Sequence, residues 1–582
     1  MSADLKLDSD TAMPEQSIQA EHVEGSDSKA LTVSEDEDIF AEDLAYGPDG
    51  IRGLIGNSYV FGAAFLASLG GFSFGYDQGV ISIINVMDQF QNTFPRTRTA
   101  FGTSFMTAML LLGAFVGCIF MPYLADKISR KWALTVVVII FDIGAIIQTS
   151  AQSYGALVAG RAIGGIGVGT LAMVCKHLRC KVFFLVNAFF LVRKGDGDIT
   201  QGAPLYISEI SPPNLRGTLL VLESISIVSG VVIAFWITYG TRSIPSEASF
   251  RLPLGLQMLC ATILGAAIHL FPYSPRWLTL VGRNEECLAS LSKLRGLPPT
   301  DHRVQKEFKG IVAEVEFNKT VLAQRHPGAG PFKLEVLSWL DLFDRKMWRR
   351  TVVGCGVCFF QQFSGINAFI YYAPTLFRSI GQPAEMALIL SGIFNILQLV
   401  AVAICFVVID KVGRRPLAIV GGFGSCICYI IIAAIAGVYS KDWSANPAAG
   451  WAAVAMAFCF IMVYGVSYSP LGWSLPPEVF PNSKRAKGVA LAVCVNWLSN
   501  FTVGIATPPM LQTISYGTYI FFAFFCGLSG IWAVLLVPET KGKTLEQMDL
   551  MFGDNSGQEE KDFMRIAAVS AEQTLMSQTQ HV

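Results

Sequence analysis

Runs of about 20 mostly apolar residues, the length an α-helix needs to cross a bilayer, recur along this chain and constrain its fold more than any motif does. Twelve are recognisable: near 57–81, 99–121, 131–150, 155–173, 218–239 and 254–272, then near 350–374, 385–408, 416–438, 450–475, 486–510 and 516–537. Segments this continuously apolar satisfy their own backbone hydrogen bonds in hydrocarbon only as helices. A polar stretch, about Ser274 to Arg349 and rich in Lys and Arg, separates the two sets. The hexapeptide Asp126-Lys-Ile-Ser-Arg-Lys131 lies in the short gap after the second run. It returns after the eighth as Asp410-Lys-Val-Gly-Arg-Arg415. A repeat in equivalent places of two hydrophobic halves points to a duplicated bundle. The expected fold is an all-α membrane protein with twelve helices in two pseudo-symmetric six-helix bundles.

Charge usage agrees. Only 15% of residues are charged and 52% are hydrophobic, against roughly a quarter charged in a soluble domain. The formal net charge is −1, so no polyanionic partner is implied, and no nucleic-acid module is present. Residues 1–55 are acidic and lack an apolar core. They read as a disordered tail rather than a cleaved signal peptide. The expected order continues with a first bundle at 56–273, a linker with short helices at 274–349, a second bundle at 350–540 and a tail at 541–582. Basic residues concentrate in the linker and in both hexapeptides, so these face the cytoplasm and bring both termini there. Asn318-Lys-Thr320 fits a glycosylation pattern on the wrong side for it. The cysteines are scattered through apolar runs, which is no disulfide framework. Cys355 and Cys358 have redox-motif spacing, but like Cys426 and Cys428 they read as small buried side chains.

Several short signatures occur in a set order: Phe74-Gly-Tyr-Asp-Gln-Gly79, Gly160-Arg161, Pro204-Leu-Tyr-Ile-Ser-Glu209, Pro272-Tyr-Ser-Pro-Arg-Trp277, Gln361-Gln-Phe-Ser-Gly-Ile-Asn367 and Pro538-Glu-Thr-Lys-Gly542. With them, the chain resembles the sugar porter family of the major facilitator superfamily, and within it the fungal monosaccharide carriers. The resemblance covers about Gly56 to Gly542, apart from one segment described below. It implies the major facilitator fold.

A site for a neutral sugar replaces water around several hydroxyls. Amides suit this because each carries donors and acceptors. The seventh run supplies Gln361, Gln362 and Asn367, followed by Tyr371 and Tyr372. The plain alternative is that these amides bond neighbouring helices. The resemblance implies a lining role for them, and extends the site to Phe74, Asn395, Asn496 and Trp497, with Asn500 one turn on. Trp473 matches an aromatic after the family's Gly-Pro break; it serves equally as a packing residue beside a helix broken by Pro470, Pro476 and Pro477. Two positions depart from the family pattern. Ser224, six residues before Gly230 and next to Glu223, stands where a sugar-binding Gln is usual. Tyr468 stands where Trp is common. Both changes leave glucose as the preferred substrate unsupported.

Ionisable residues within a membrane are functional candidates. The resemblance implies that Asp77 takes up a proton in coupled relatives, with Arg161 as partner; the alternative is a static ion pair locking two helices. Glu223 is a weaker candidate. A second network is expected at the cytoplasmic ends. Asp126, Arg130 and Lys131 should meet Glu209 and Arg216, and Asp410, Arg414 and Arg415 should meet Glu478 and Arg485. Such pairs can close and reopen the inner side, or serve topology alone. Ser129 replaces a family Gly and strains its turn if the position needs φ > 0. Tyr273 replaces a family Glu, leaving one ion-pair partner missing.

The segment Val174 to Gln201 is foreign to this pattern. Its apolar core, Val182 to Val192, is only about half the length needed to span. Val-Cys-Lys can be encoded GTA-TGT-AAA, like a 5′ splice site, and Gln201 as CAG, a 3′ acceptor. Removing Val174 to Gln201 joins Met173 to Gly202 and restores Leu-Ala-Met-Gly-Ala-Pro-Leu-Tyr. The segment reads as a retained intron, with a genuine insertion as the alternative.

No nucleophile arrangement, metal cluster or nucleotide loop is evident, so neither catalysis nor a cofactor is expected. The expected function is transport of a monosaccharide, a hexose first, by alternating access, as a proton symporter or a facilitator. The expected partners are the sugar, the bilayer and, if coupled, protons; no nucleic acid is expected. The expected location is the plasma membrane, with one chain as the working unit. The rivals are a transporter-like sugar sensor, disfavoured by a short tail after Gly542, and a carrier of a polyol, inositol or quinate.

Overall fold

The computed structural model describes residues 58–172, 216–325, 330–345, 347–481, 484–541, 543, 548 and 551–553. The acidic tail, the foreign segment and Glu209 lie outside these residues. The side chains of Asp126, Arg130, Arg216, Glu223 and Asp410 are likewise not described.

The first half is built from α1 (Ser58–Ile84), a short α2 (Asp88–Thr93), α3 (Ala100–Ile128), α4 (Arg130–Ser150), α5 (Tyr154–Ala172), α6 (Arg216–Thr241) and α7 (Ala248–Ala267). Short helices follow: α8 (Pro275–Leu280), α9 (Asn284–Arg295), α10 (His302–Arg325) and α11 (Pro331–Leu340). The second half comprises α12 (Trp348–Phe363), α13 (Ile366–Ser379), α14 (Ala384–Val412), α15 (Arg414–Tyr439), α16 (Pro447–Val466), α17 (Tyr468–Val479), α18 (Arg485–Thr513) and α19 (Gly517–Leu536). Among the described residues, 10 segments are long and apolar enough to cross a membrane. Two of them, Trp348–Ser379 and Pro447–Val479, each join two helices across a break. The other two runs seen in the sequence are α1 and α5, 27 and 19 residues long.

Outward faces carry apolar side chains at helical spacing. Ile139, Ile143 and Ile146 on α4, Val420, Phe423, Ile427 and Ile430 on α15, and Ile520, Phe524, Ile531 and Leu535 on α19 are all exposed. Apolar surface repeated around so many helices suits a lipid solvent rather than water.

The repeated hexapeptide marks a shared corner. α3 and α14 are both 29 residues long, and each is followed by a single residue with positive φ before the next helix begins. That residue is Ser129 (φ 86°, ψ 147°) in one half and Gly413 (φ 99°, ψ 165°) in the other. The expected polar loop is therefore a one-residue corner, because Asp126 and Asp410 continue their helices. The halves meet where α3 packs on α18, α6 on α14 and α1 on α13. Within the first half, a Cβ at Gly75 or Gly79 would strike the α6 backbone at Ile227 or Val231, so glycine lets α1 lie directly against α6.

Candidate functional site

The amide cluster is assembled by a break in the seventh run. α12 ends at Phe363, Gly365 takes the left-handed conformation (φ 83°, ψ 9°), and α13 starts at Ile366. A continuous helix was expected here. The break instead puts Gln361 and Gln362 in the last turn of α12 and Asn367 at the start of α13. Asn367 Nδ2 donates to Gln362 Oε1, and Gln362 Nε2 donates to Asn496 Oδ1 on α18. Gln362 Nε2 also lies 3.5 Å from Gln361 Oε1. All four amides are buried.

Gln361 bridges to the second break. Its Nε2 donates to the Tyr468 and Ser469 carbonyls, each at 3.1 Å. The chain turns there at Ser467 (φ −114°, ψ −88°), three positions before Pro470. Pro476 and Pro477 lie inside α17 rather than at the break. Since Pro476 has no N–H, the Gly472 carbonyl loses its helical donor; Cys358 Sγ takes that place at 3.5 Å. Pro508 similarly frees the Gly504 carbonyl within α18, and the Tyr372 hydroxyl donates to it at 2.9 Å. Tyr468 is buried, with its hydroxyl 3.4 Å from the Ser529 carbonyl. Tyr372 and Tyr468 therefore spend their hydroxyls on backbone.

Aromatic and polar neighbours complete the cluster. Phe74 on α1 meets Trp497 on α18 edge-to-face, with ring centroids 5.3 Å apart. Tyr371 lies between Gln78, at 3.0 Å, and Asn500. Asn395 on α14 is buried. Trp473 on α17 and Ser224 on α6 are half-buried.

Asp77 and Arg161 come together as expected. Arg161 Nη1 is 3.6 Å from Asp77 Oδ1, with the side chains 2% and 0% exposed. That separation is beyond a good hydrogen bond, and neither Asp77 oxygen accepts a hydrogen bond among the described residues. Arg161 also donates to Gln148 Oε1 at 3.4 Å, a buried partner the sequence reading missed. Burial is costly for a charge that lacks hydrogen bonds, so the attraction of Arg161 is what offsets the burial of this carboxylate.

Among the described residues, the hexapeptide ends differ between the two halves. Arg414 pairs with Glu478 at 2.9 Å, as expected, and Thr540 Oγ1 donates to Glu478 Oε2 at 2.6 Å. Arg415 donates to the Val534 carbonyl at 2.8 Å, and Arg485 Nε to the Phe480 carbonyl at 3.4 Å. Glu539, given no role from sequence, accepts the Arg414 and Arg415 backbone N–H groups at 2.9 and 3.2 Å. It thereby caps the positive end of α15. Lys131 does not reach an acidic partner among the described residues. Its ammonium donates to the His269 and Phe271 carbonyls and lies 4.7 Å from the centre of the Tyr273 ring. Tyr273, in place of the expected Glu, supplies a cation–π contact, and the carbonyls ending the helical turn after α7 supply acceptors. At the opposite end of the molecule, Arg242 after α6 grips Glu385 on α14 with two bonds of 3.1 and 2.6 Å.

The family described as "Sugar (and other) transporter" matches residues 63–178 and 195–552. The chain is 30% identical over 517 residues to a high-affinity glucose transporter of Kluyveromyces lactis, covering 86% of each. It is 31% identical to a probable quinate permease of Aspergillus flavus, covering 85% of this chain and 88% of that one. The proton:xylose symporter XylE, solved with 6-bromo-6-deoxy-D-glucose, superimposes with a TM-score of 0.66 at 24% identity, covering 85% of this chain and 99% of that one. At that identity the superposition speaks for the fold, which is the major facilitator fold. Duplicated halves, broken seventh and tenth runs and a family match over most of the length agree: this chain is a multi-pass membrane transporter and belongs to the sugar porter family of the major facilitator superfamily.

Proposed function

We propose that the chain carries a monosaccharide, a hexose first, across the plasma membrane by alternating access between two six-helix bundles. Twelve spans, the hexapeptide corners and both termini on the cytoplasmic side, and one chain as the working unit complete this reading. The observation that carries it is the buried network of Gln361, Gln362, Asn367 and Asn496, held where two broken helices meet. Sugar hydroxyls donate and accept as amides do, so they can replace the bonds between these side chains one for one. The glucose transporter among the relatives makes hexose the class to test first. Asp77 is read as the proton-carrying group and Arg161 as the partner that it releases and regains. Its two oxygens, without hydrogen bonds among the described residues, support this.

A second reading keeps the scaffold and changes the solute to quinate or a polyol. A quinate permease relative at 31% identity and Ser224 in place of a family Gln favour keeping it. The segment 174–201 is read as a retained intron; in support, the family match leaves residues 179–194 unmatched.

Labelled hexose uptake in transporter-null yeast tests all of this. The chain as given is compared with one lacking 174–201, with and without a protonophore. Uptake by the shortened chain alone, abolished by the protonophore, is expected. Uptake insensitive to the protonophore would make Asp77–Arg161 a static pair. Uptake of quinate but not hexose, at equal surface expression, would overturn the sugar assignment.

A further inference from the structure

The polar linker returns to the second half through α11 and a single helical turn, Asp341–Phe343, that leads into α12. One side of this stretch is fixed to the starts of two spans. Ser338 is buried and accepts a hydrogen bond from Lys487 Nζ in the first turn of α18. Lys484 Nζ, just before α18, donates to the Asp341 carbonyl at 3.3 Å, and Thr351 Oγ1 in the first turn of α12 donates to the Leu342 carbonyl at 2.6 Å. Leu342 is enclosed with Met347 and Phe480 in a small apolar core of its own. α11 therefore lies level with the starts of α12 and α18. The hexapeptides are at the same end: Arg350 of α12 donates to the Val479 carbonyl at 2.9 Å, beside Glu478, the partner of Arg414.

The other side is apolar and open. Val336, Leu340 and Phe343 recur at i, i+4 and i+7, the spacing of one helical face, and are 43%, 59% and 62% exposed. They fall opposite Ser338 and Leu342. Shortly after Phe343, Trp348 begins an exposed stripe on α12, and Val352 continues it one turn on. That stripe belongs to the outer surface of a span, which faces lipid. A tryptophan at the mouth of a span marks the headgroup level. The open face of α11 is thus continuous with surface that the bilayer covers. Exposed charges nearby have both signs, Lys333, Arg345 and Arg349 against Asp344, so burial of apolar surface, rather than attraction to anionic lipid, is the driving force. We propose that α11 is an in-plane membrane helix. It inserts Val336, Leu340 and Phe343 into the headgroup–acyl boundary of the leaflet at the hexapeptide end, and so anchors the linker to the membrane surface just before α12 enters it. The placement does not depend on which solute is carried.

An environment-sensitive NBD fluorophore on Val336→Cys, Leu340→Cys or Phe343→Cys reads this placement. The full-length chain carries Cys459→Ala, because Cys459 is exposed on α16, and the Cys459→Ala protein labelled alike gives the background. Glu285→Cys, exposed on α9, is the water-facing control. Each protein is reconstituted in nanodiscs of phosphatidylcholine, with or without phosphatidylserine. A surface helix buries its apolar face about 5–10 Å into the boundary. Each of the three probes should therefore shift to the blue and lose most of its emission to a lipid spin-labelled just below the headgroup. It should lose less to a lipid labelled at the chain end and little to aqueous iodide, equally in both lipid mixtures. The control should show the reverse. Adding Leu340→Glu and Phe343→Glu should move the Val336→Cys probe to the control pattern, with the melting temperature in detergent unchanged. Iodide quenching of the three probes would overturn the proposal. Quenching by neither agent would mean that protein covers this face, a terminal tail or a second copy, and would overturn it as well. So would lipid quenching seen only with phosphatidylserine, which would replace apolar insertion by charge attraction. A lower melting temperature in the double-Glu variant, with quenching unmoved, would make the face a packing surface and equally overturn it.

Discussion

Ser129 holds a backbone conformation that its counterpart Gly413 adopts freely. At φ 86° and ψ 147° it sits near a region that is essentially glycine-only and costs other residues about 1–3 kcal/mol. Glycine there would also loosen the unfolded chain by up to about 1 kcal/mol. Ser129→Gly should therefore raise stability by about 1 kcal/mol, read as a higher melting temperature in detergent; a lower one would contradict the strain. The reverse change at Gly413 should be worse, since a Cβ there would meet the Glu539 carboxylate. The hexapeptide repeat made the equivalence of these corners legible in sequence, and Ser for Gly flagged the strain. The replacement contact at Tyr273 was not legible. A missing acid shows in a sequence, but a ring and two backbone carbonyls gathering around Lys131 depend on how the chain ends after α7. Gln78 was quoted within a motif but given no role, because its partner lies 293 positions away.

Helices were read well as apolar runs, and the tenth run's break was expected near Pro470, but the break in the seventh run was not. Burial of the surrounding side chains continues through Gly365 and Ser467, so hydropathy carries no mark of either break. A Ser-Gly pair and a nearby proline were the available signals. Side chains flanking the break in the seventh run take up carbonyls that proline frees within α17 and α18. Tyr372 on the Gly504 carbonyl is the strongest of these, at 2.9 Å and fully enclosed. The sequence reading put Tyr372 among the substrate contacts; its hydroxyl bond argues for bracing α13 on α18. Tyr372→Phe leaves a buried carbonyl short of a donor and should cost about 1–3 kcal/mol of stability, with external KM changed less than about twofold. A tenfold rise in KM with an unaltered melting temperature would return the hydroxyl to the substrate.

Across the whole molecule, among the described residues, the side-chain contacts between halves considered above sit at the centre and at the end away from the hexapeptides. Phe74–Trp497, Gln78–Tyr371 and Arg242–Glu385 each join one half to the other. The described ion pair at the hexapeptide end, Arg414–Glu478, stays within the second half, and Lys131 stays within the first. Among the described residues, such an arrangement suits a conformation held shut at the end away from the hexapeptides. Duplication and the amide-bearing run were both legible in sequence, because length and polar residues inside apolar runs are local properties. The state of the gate was not, since it depends on which of two sets of long-range contacts is made. The central claim is that the amides at the α12–α13 break bind the carried sugar. Its most direct test is the concentration dependence of labelled hexose uptake for Gln362→Ala against its parent, at matched surface expression and matched melting temperature. The account predicts an external KM raised roughly tenfold, the loss expected when a buried amide no longer pairs with substrate hydroxyls; an unchanged KM would contradict it.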